Sequence, residues 1–295
     1  MEENKNKFTG EAIDAFNMKR SAGTFYLAAI FVGYFLMNLL YVVIPQKTVA
    51  SFVAQTAQQL VFVLAAVLFF YKNGGIKNGL RLNKFSPKYV LYAVIAFCGL
   101  FFGVGYINVL ITSLMQKIGL SVGGSITMKG IGDYISYVAS LSVFPAIGEE
   151  FLFRSLLLYA LYYTAENGDD IKASLIVALA FASYHKNAAQ LIYQFAYGFT
   201  LSMLFIRSGS AIPGIIMHAM NNFLILTATY FCPALNLLNI YTFIFGIIAF
   251  GFSTFLLVKG SKKGKLDLDG ISIYLYIGIA ACIALGAINN LSGLL

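Results

Sequence analysis

Glu149 and Glu150 are the only two of the chain's twelve acidic residues that sit deep inside an apolar run. The other ten lie in the N-terminal tail, in loops or at span ends, Asp133 among them. A carboxylate near a bilayer centre costs about 2.5–3.5 kcal/mol on insertion scales, so adjacent intramembrane carboxylates mark a working site by default. Arg154 stands four residues after Glu150 and shares its helix face, where a charge-assisted pair can form. Glu149 is turned about 100° away, which leaves it less well paired and free to face a cavity. Two histidines complete the chain's inventory, His185 four residues after Phe181 and His218 four residues before Asn222.

Desolvation disfavours the anionic form of a carboxylate in a partly wet, apolar cavity and makes it a general base for water. Glu149 is the candidate for that task, with His185 positioning the water or sharing its proton. Amide hydrolysis also needs donors for the developing oxyanion, and an imidazole with a carboxamide one helical turn away supplies two: His218 and Asn222. Such a hydrolase needs no cofactor. Zinc held by Glu149, His185 and His218 is the rival chemistry, although the His-Glu-x-x-His helix signature is absent.

These residues must be carried by membrane helices. The chain has 295 residues, 59% of them hydrophobic, with a mean hydropathy of +0.79. Its 11% charged residues are under half the roughly 25% of soluble domains. Apolar runs near 25–45, 53–71, 88–115, 132–163, 172–186, 188–207, 211–231, 236–259 and 271–290 are long enough for spans. They predict an all-α polytopic bundle of about eight to nine spans. Residues 1–24 form a cytoplasmic lead-in, and 25–295 one transmembrane domain with its chemistry in about 132–231. Pro145 and Gly148 predict a kink or break in the fourth run.

Basic loops at Lys72–Lys88 and Lys259–Lys265 read as cytoplasmic. Threading the spans between them puts the N-terminus inside, together with the acidic loop of Glu166, Asp169 and Asp170. Counted from that side, Glu149, His185 and His218 lie at a common depth of roughly 16–21 Å. The net charge of +8 belongs to these loops and not to a nucleic-acid surface. Gly74, Gly75 and Gly79 make a turn without the ending of a phosphate loop. The three scattered cysteines suggest neither disulfides nor a zinc ribbon.

The run Glu149-Glu150-Phe151-Leu152-Phe153-Arg154, the pair Phe181 and His185, and the pair His218 and Asn222 follow one another on successive helices. In that order they resemble the CAAX protease and bacteriocin-processing (CPBP, or Abi) family, related to the type II CAAX prenyl endopeptidase. The resemblance implies an intramembrane protease with Glu149 and His185 on the water, His218 and Asn222 at the oxyanion, and Glu150 with Arg154 in support. Its substrate would be a membrane-associated peptide or protein, prenylated or not, and some members are linked to bacteriocin immunity. A composition rich in Lys, Phe, Tyr and Ile fits a bacterial cell membrane. The competing classes are a non-catalytic membrane binder or immunity protein, and a proton-coupled transporter using the same carboxylates as a relay.

Overall fold

The computed structural model describes residues 2–73, 75–122, 126–164, 168–232 and 237–292, without the side chains of 2–13. Gly74 and Glu166 lie outside the described residues. Among the described residues, nine long helical segments follow in order, besides the short turns Ile76–Gly79 and Ala188–Gln190: α1 Glu2–Val43, α2 Lys47–Lys72, α3 Lys88–Lys117, α4 131–162, α5 Asp170–Tyr184, α6 Leu191–Ser208, α7 Ile212–Phe231, α8 Ile240–Val258 and α9 Ser272–Leu291. No sheet is present among the described residues, only an isolated bridge between Gly168 and Lys265. The protein is an all-α bundle. Among the described residues, seven helices are long and apolar enough to cross a membrane: Asp14–Val43 within α1, the whole of α2, α3, α7, α8 and α9, and Ala188–Ser208, which takes in α6. Leu60, Leu64 and Leu68 on α2 and Ile244, Phe245, Ile248, Phe252 and Phe255 on α8 are exposed. Water would penalise such stripes, whereas lipid solvates them.

α1 is helical from Glu2, so the polar lead-in continues the first span in one rod. The kink expected in the fourth run takes another form. α4 stays helical throughout but carries π-helical stretches at Ala139–Val143 and Glu150–Leu158. Pro145 has no N–H to donate, and a π-helical turn, Ala139–Val143, lies just before it in an unbroken helix.

α5 has fifteen residues and reaches only about 22 Å, short of a hydrocarbon core. Its chain reverses at His185–Asn187 and returns as α6. Irregular backbone at that depth must be buried in protein or line a cavity, and here it does both. α9 packs on the turn so closely that a Cβ on Gly286 would stand 3.0 Å from the Lys186 carbonyl carbon. The Asn290 side-chain oxygen accepts from Ala188 N at 3.3 Å.

The loops sort to two ends. At one, Arg81 donates to Gly209 O at 3.3 Å, Arg207 donates to the carbonyls of Gly260 and Lys259 at 3.0 and 2.8 Å, and Lys19 pairs with Asp267. At the other, Ser121 N donates to Asn290 O at 2.9 Å and Asn187 donates to Val122 O at 3.0 Å. The basic loops around 72–88 and 259–265 therefore share an end with Asp169 and Asp170. These acids have structural work there. Asp169 caps α5 by accepting from Ile171 N and Lys172 N at 3.1 and 2.8 Å, and accepts from Gly264 N at 3.2 Å.

Candidate active site

α2, α4 and α7 meet where α4 is thinnest. A Cβ on Gly148 would fall 2.5 Å from Gln59 Oε1 and 3.0 Å from Gln59 O, so only glycine lets α2 lie this close. The approach brings Gln59 Nε2 to 3.5 Å from Glu149 Oε1, a long hydrogen bond. Glu149, Glu150 and Arg154 are all buried.

The two carboxylates have different surroundings. Glu150 Oε1 accepts from Arg154 Nη1 at 3.0 Å and lies 3.0 Å from His218 Nδ1. Arg154 Nη2 donates to Gly198 O at 3.2 Å, and its guanidinium lies 4.4 Å from the Phe181 ring centroid. Glu149 has no such partner. Its Oε2 is 3.8 Å from His218 Nε2 and makes no hydrogen bond. His218 thus bridges the pair, with Nδ1 toward Glu150 and Nε2 toward Glu149. An ionised carboxylate only accepts, so the Nδ1 facing Glu150 carries hydrogen.

The same logic assigns His185. Its Nδ1 lies 2.8 Å from Phe181 O, a carbonyl that can only accept, so the neutral ring keeps Nε2 as its acceptor atom. Phe181 is fixed in turn by Phe153, whose ring is 5.2 Å away edge-on.

Asn222 is oriented by a chain of polar groups. Tyr193 donates to Asn221 Oδ1, Asn221 Nδ2 donates to Asn222 Oδ1 at 3.1 Å, and Asn222 Nδ2 donates to Leu141 O at 3.0 Å. The last link follows from Pro145: Leu141 lies four residues before it, and an α-helical N–H for that carbonyl is the one proline lacks. One amide hydrogen of Asn222 remains for another acceptor.

Glu149, His185, His218 and Asn222 line one cavity of about 340 Å³, and Glu150 and Arg154 stand outside its lining. Gln58, Gln59, Tyr184, Lys186 and Asn221 line it too. Tyr184 donates to Gln58 Oε1 at 2.9 Å. Gln58 Nε2, Gln59 Oε1 and Glu149 Oε2 are buried without a hydrogen-bond partner. Three unsatisfied atoms at one cavity would each cost about 1–3 kcal/mol, and room for several waters or a peptide segment answers that cost. Among the described residues no three His, Cys, Asp or Glu side chains come together at metal-holding separations.

Sequence reasoning overlooked the glutamine pair, Lys186 and Tyr193. Gln58 and Gln59 had a legible signal, since adjacent amides in the middle of an apolar run are as anomalous as adjacent carboxylates. Tyr193 had none, because its role appears only once α6 lies against α7.

The fold and this cavity define a polytopic helical membrane protein with a buried carboxylate–histidine–carboxylate cluster. Residues 132–224 match the family model described as Type II CAAX prenyl endopeptidase Rce1-like, which bears out the resemblance carried by the motifs. That segment, from α4 into α7, is similar to this family and holds every motif residue named above. Comparison with curated proteins finds no match.

Proposed function

We propose that the protein is an intramembrane endopeptidase that hydrolyses a peptide bond in a membrane-associated substrate with a water activated by Glu149. The observation that carries the reading is the segregation of the two carboxylates. Glu150 is spent on Arg154 and His218, whereas Glu149 opens on the cavity with an unsatisfied oxygen.

In this mechanism a water lies between Glu149 and the acceptor Nε2 of His185. Its oxygen attacks the scissile carbonyl carbon as Glu149 takes one proton. The carbonyl π pair moves onto oxygen, and the free amide hydrogen of Asn222, together with His218 when it carries hydrogen on Nε2 as well as on Nδ1, stabilises the oxyanion. The tetrahedral centre collapses, the C–N bond breaks, and the proton held by Glu149 passes to the leaving nitrogen. A carboxylic acid and an amine result, which exchange a proton to become carboxylate and ammonium, so atoms and charge balance with one water consumed. Glu150 and Arg154 orient His218 and stay out of the chemistry. We place the basic end in the cytoplasm on the loop-charge rule.

The test is cleavage of a fluorogenic peptide panel, prenylated and unprenylated, by purified wild type and Glu149→Gln, each with and without a chelator. Cleavage lost in Glu149→Gln but kept in chelator supports the glutamate mechanism. Cleavage surviving in Glu149→Gln removes it, and loss in chelator alone moves the water to a metal.

A further inference from the structure

Lys186 is a cation for which the mechanism has no task. It follows His185 in the α5–α6 turn and is the sole lysine or arginine among the described residues lining the cavity. Its backbone is left-handed, with φ of 52°, a region costly for any residue with a Cβ. The close contact with Gly286 of α9 holds that shape, so the ammonium is aimed by backbone and buttress together. It stands 3.5 Å over the Tyr34 ring and 5.6 Å from Tyr184. Of the cluster's carboxylates, Glu150 is held by Arg154 and His218, and Glu149 faces His218 at 3.8 Å without a hydrogen bond on that oxygen. Among the described residues none forms an ion pair with Lys186. An aromatic face repays only part of the cost of a cation in the apolar layer.

We propose that Lys186 receives a carboxylate of the peptide substrate and so sets which bond reaches Glu149, an inference that rests on the peptidase reading. A peptide carries carboxylates in two places, its C-terminus and its acidic side chains, and the ammonium can take either. Lys186 is then a specificity-determining residue: it anchors one end of the peptide in the cavity while His185, one residue earlier, faces the scissile bond.

The experiment uses one fluorescently labelled apolar hexapeptide in four forms: free acid, C-terminal amide, and the amide with one internal Glu or Gln. Affinity is read by anisotropy on purified Glu149→Gln protein with Lys186, Lys186→Met or Lys186→Arg, and cleavage of the same peptides on protein retaining Glu149. One carboxylate form is expected to bind about tenfold tighter than its neutral counterpart. Lys186→Met should abolish the preference and Lys186→Arg keep it. Which form is preferred identifies the source. Equal affinity for acid and neutral forms, or a preference that survives Lys186→Met, overturns the assignment, as does failure of every form to bind. Cleavage without the preference spares the peptidase reading and removes the Lys186 site. The preference without cleavage does the reverse. Thermal midpoints check folding, and Lys186→Gln replaces Lys186→Met if the latter does not fold.

Discussion

Adjacent glutamates with identical chemistry are separated here by their neighbours. Glu149→Gln is expected to abolish cleavage while leaving the thermal midpoint near wild type, because no strong bond of Glu149 is lost. Glu150→Ala strands Arg154 in the interior and should cost about 3–5 kcal/mol, read as a large fall in thermal midpoint. A reversed pattern would exchange the two roles. Asn222→Ala should lower kcat by about 10²–10³ with little change in KM, the signature of a donor that acts on the oxyanion alone. The motif residues were legible because charge and imidazole are so rare in this chain. The choice of Glu149 over Glu150 also followed from the four-residue spacing to Arg154. What spacing could not give is the tautomer logic, since the hydrogen on His185 Nδ1 is dictated by the Phe181 carbonyl, a contact visible only in three dimensions.

α4 shows how a helix defect is put to use. Pro145 was readable as a kink, yet the helix continues, and the consequence passes sideways into α7 through the Leu141 carbonyl and Asn222. Pro145→Ala restores an N–H that competes for this carbonyl. It should lower kcat while the protein remains folded and inserted, and an unchanged kcat would mean that Leu141 does not set the Asn222 amide. Gly148→Ala forces α2 off α4 and should destabilise by about 1–3 kcal/mol, checked by thermal unfolding in detergent. Eight of the nine apolar runs lie within about six residues of the observed helices, because span length is set by bilayer thickness, whereas the first, read from 25, belongs to a helix that begins at Glu2. α9 lies far from the motif segment in sequence, yet its Gly286 and Asn290 brace the turn that carries His185.

On the scale of the whole bundle, the basic end is closed by bonds between loops far apart in sequence. Burial alone would raise the Asp169 carboxyl, but hydrogen bonds from Lys172 N and Gly264 N outweigh it and hold the group below its ordinary range. A folded value lower than the unfolded one means stability that is present above the ordinary carboxylate range and lost as pH falls through the folded value. Asp169→Asn should therefore lower the thermal midpoint at neutral pH and flatten its decline in acid, which unfolding at a series of pH values measures. The cap has a further consequence, because it fixes where α5 begins, and fifteen residues later the helix delivers His185. The helix is thus a ruler laid from the basic end of the bundle to the cavity that Glu149 lines. One residue inserted into it would carry the imidazole about 1.5 Å along and 100° around the axis, out of register with Glu149. The length of α5 is for this reason as much a determinant of the site as any side chain within it.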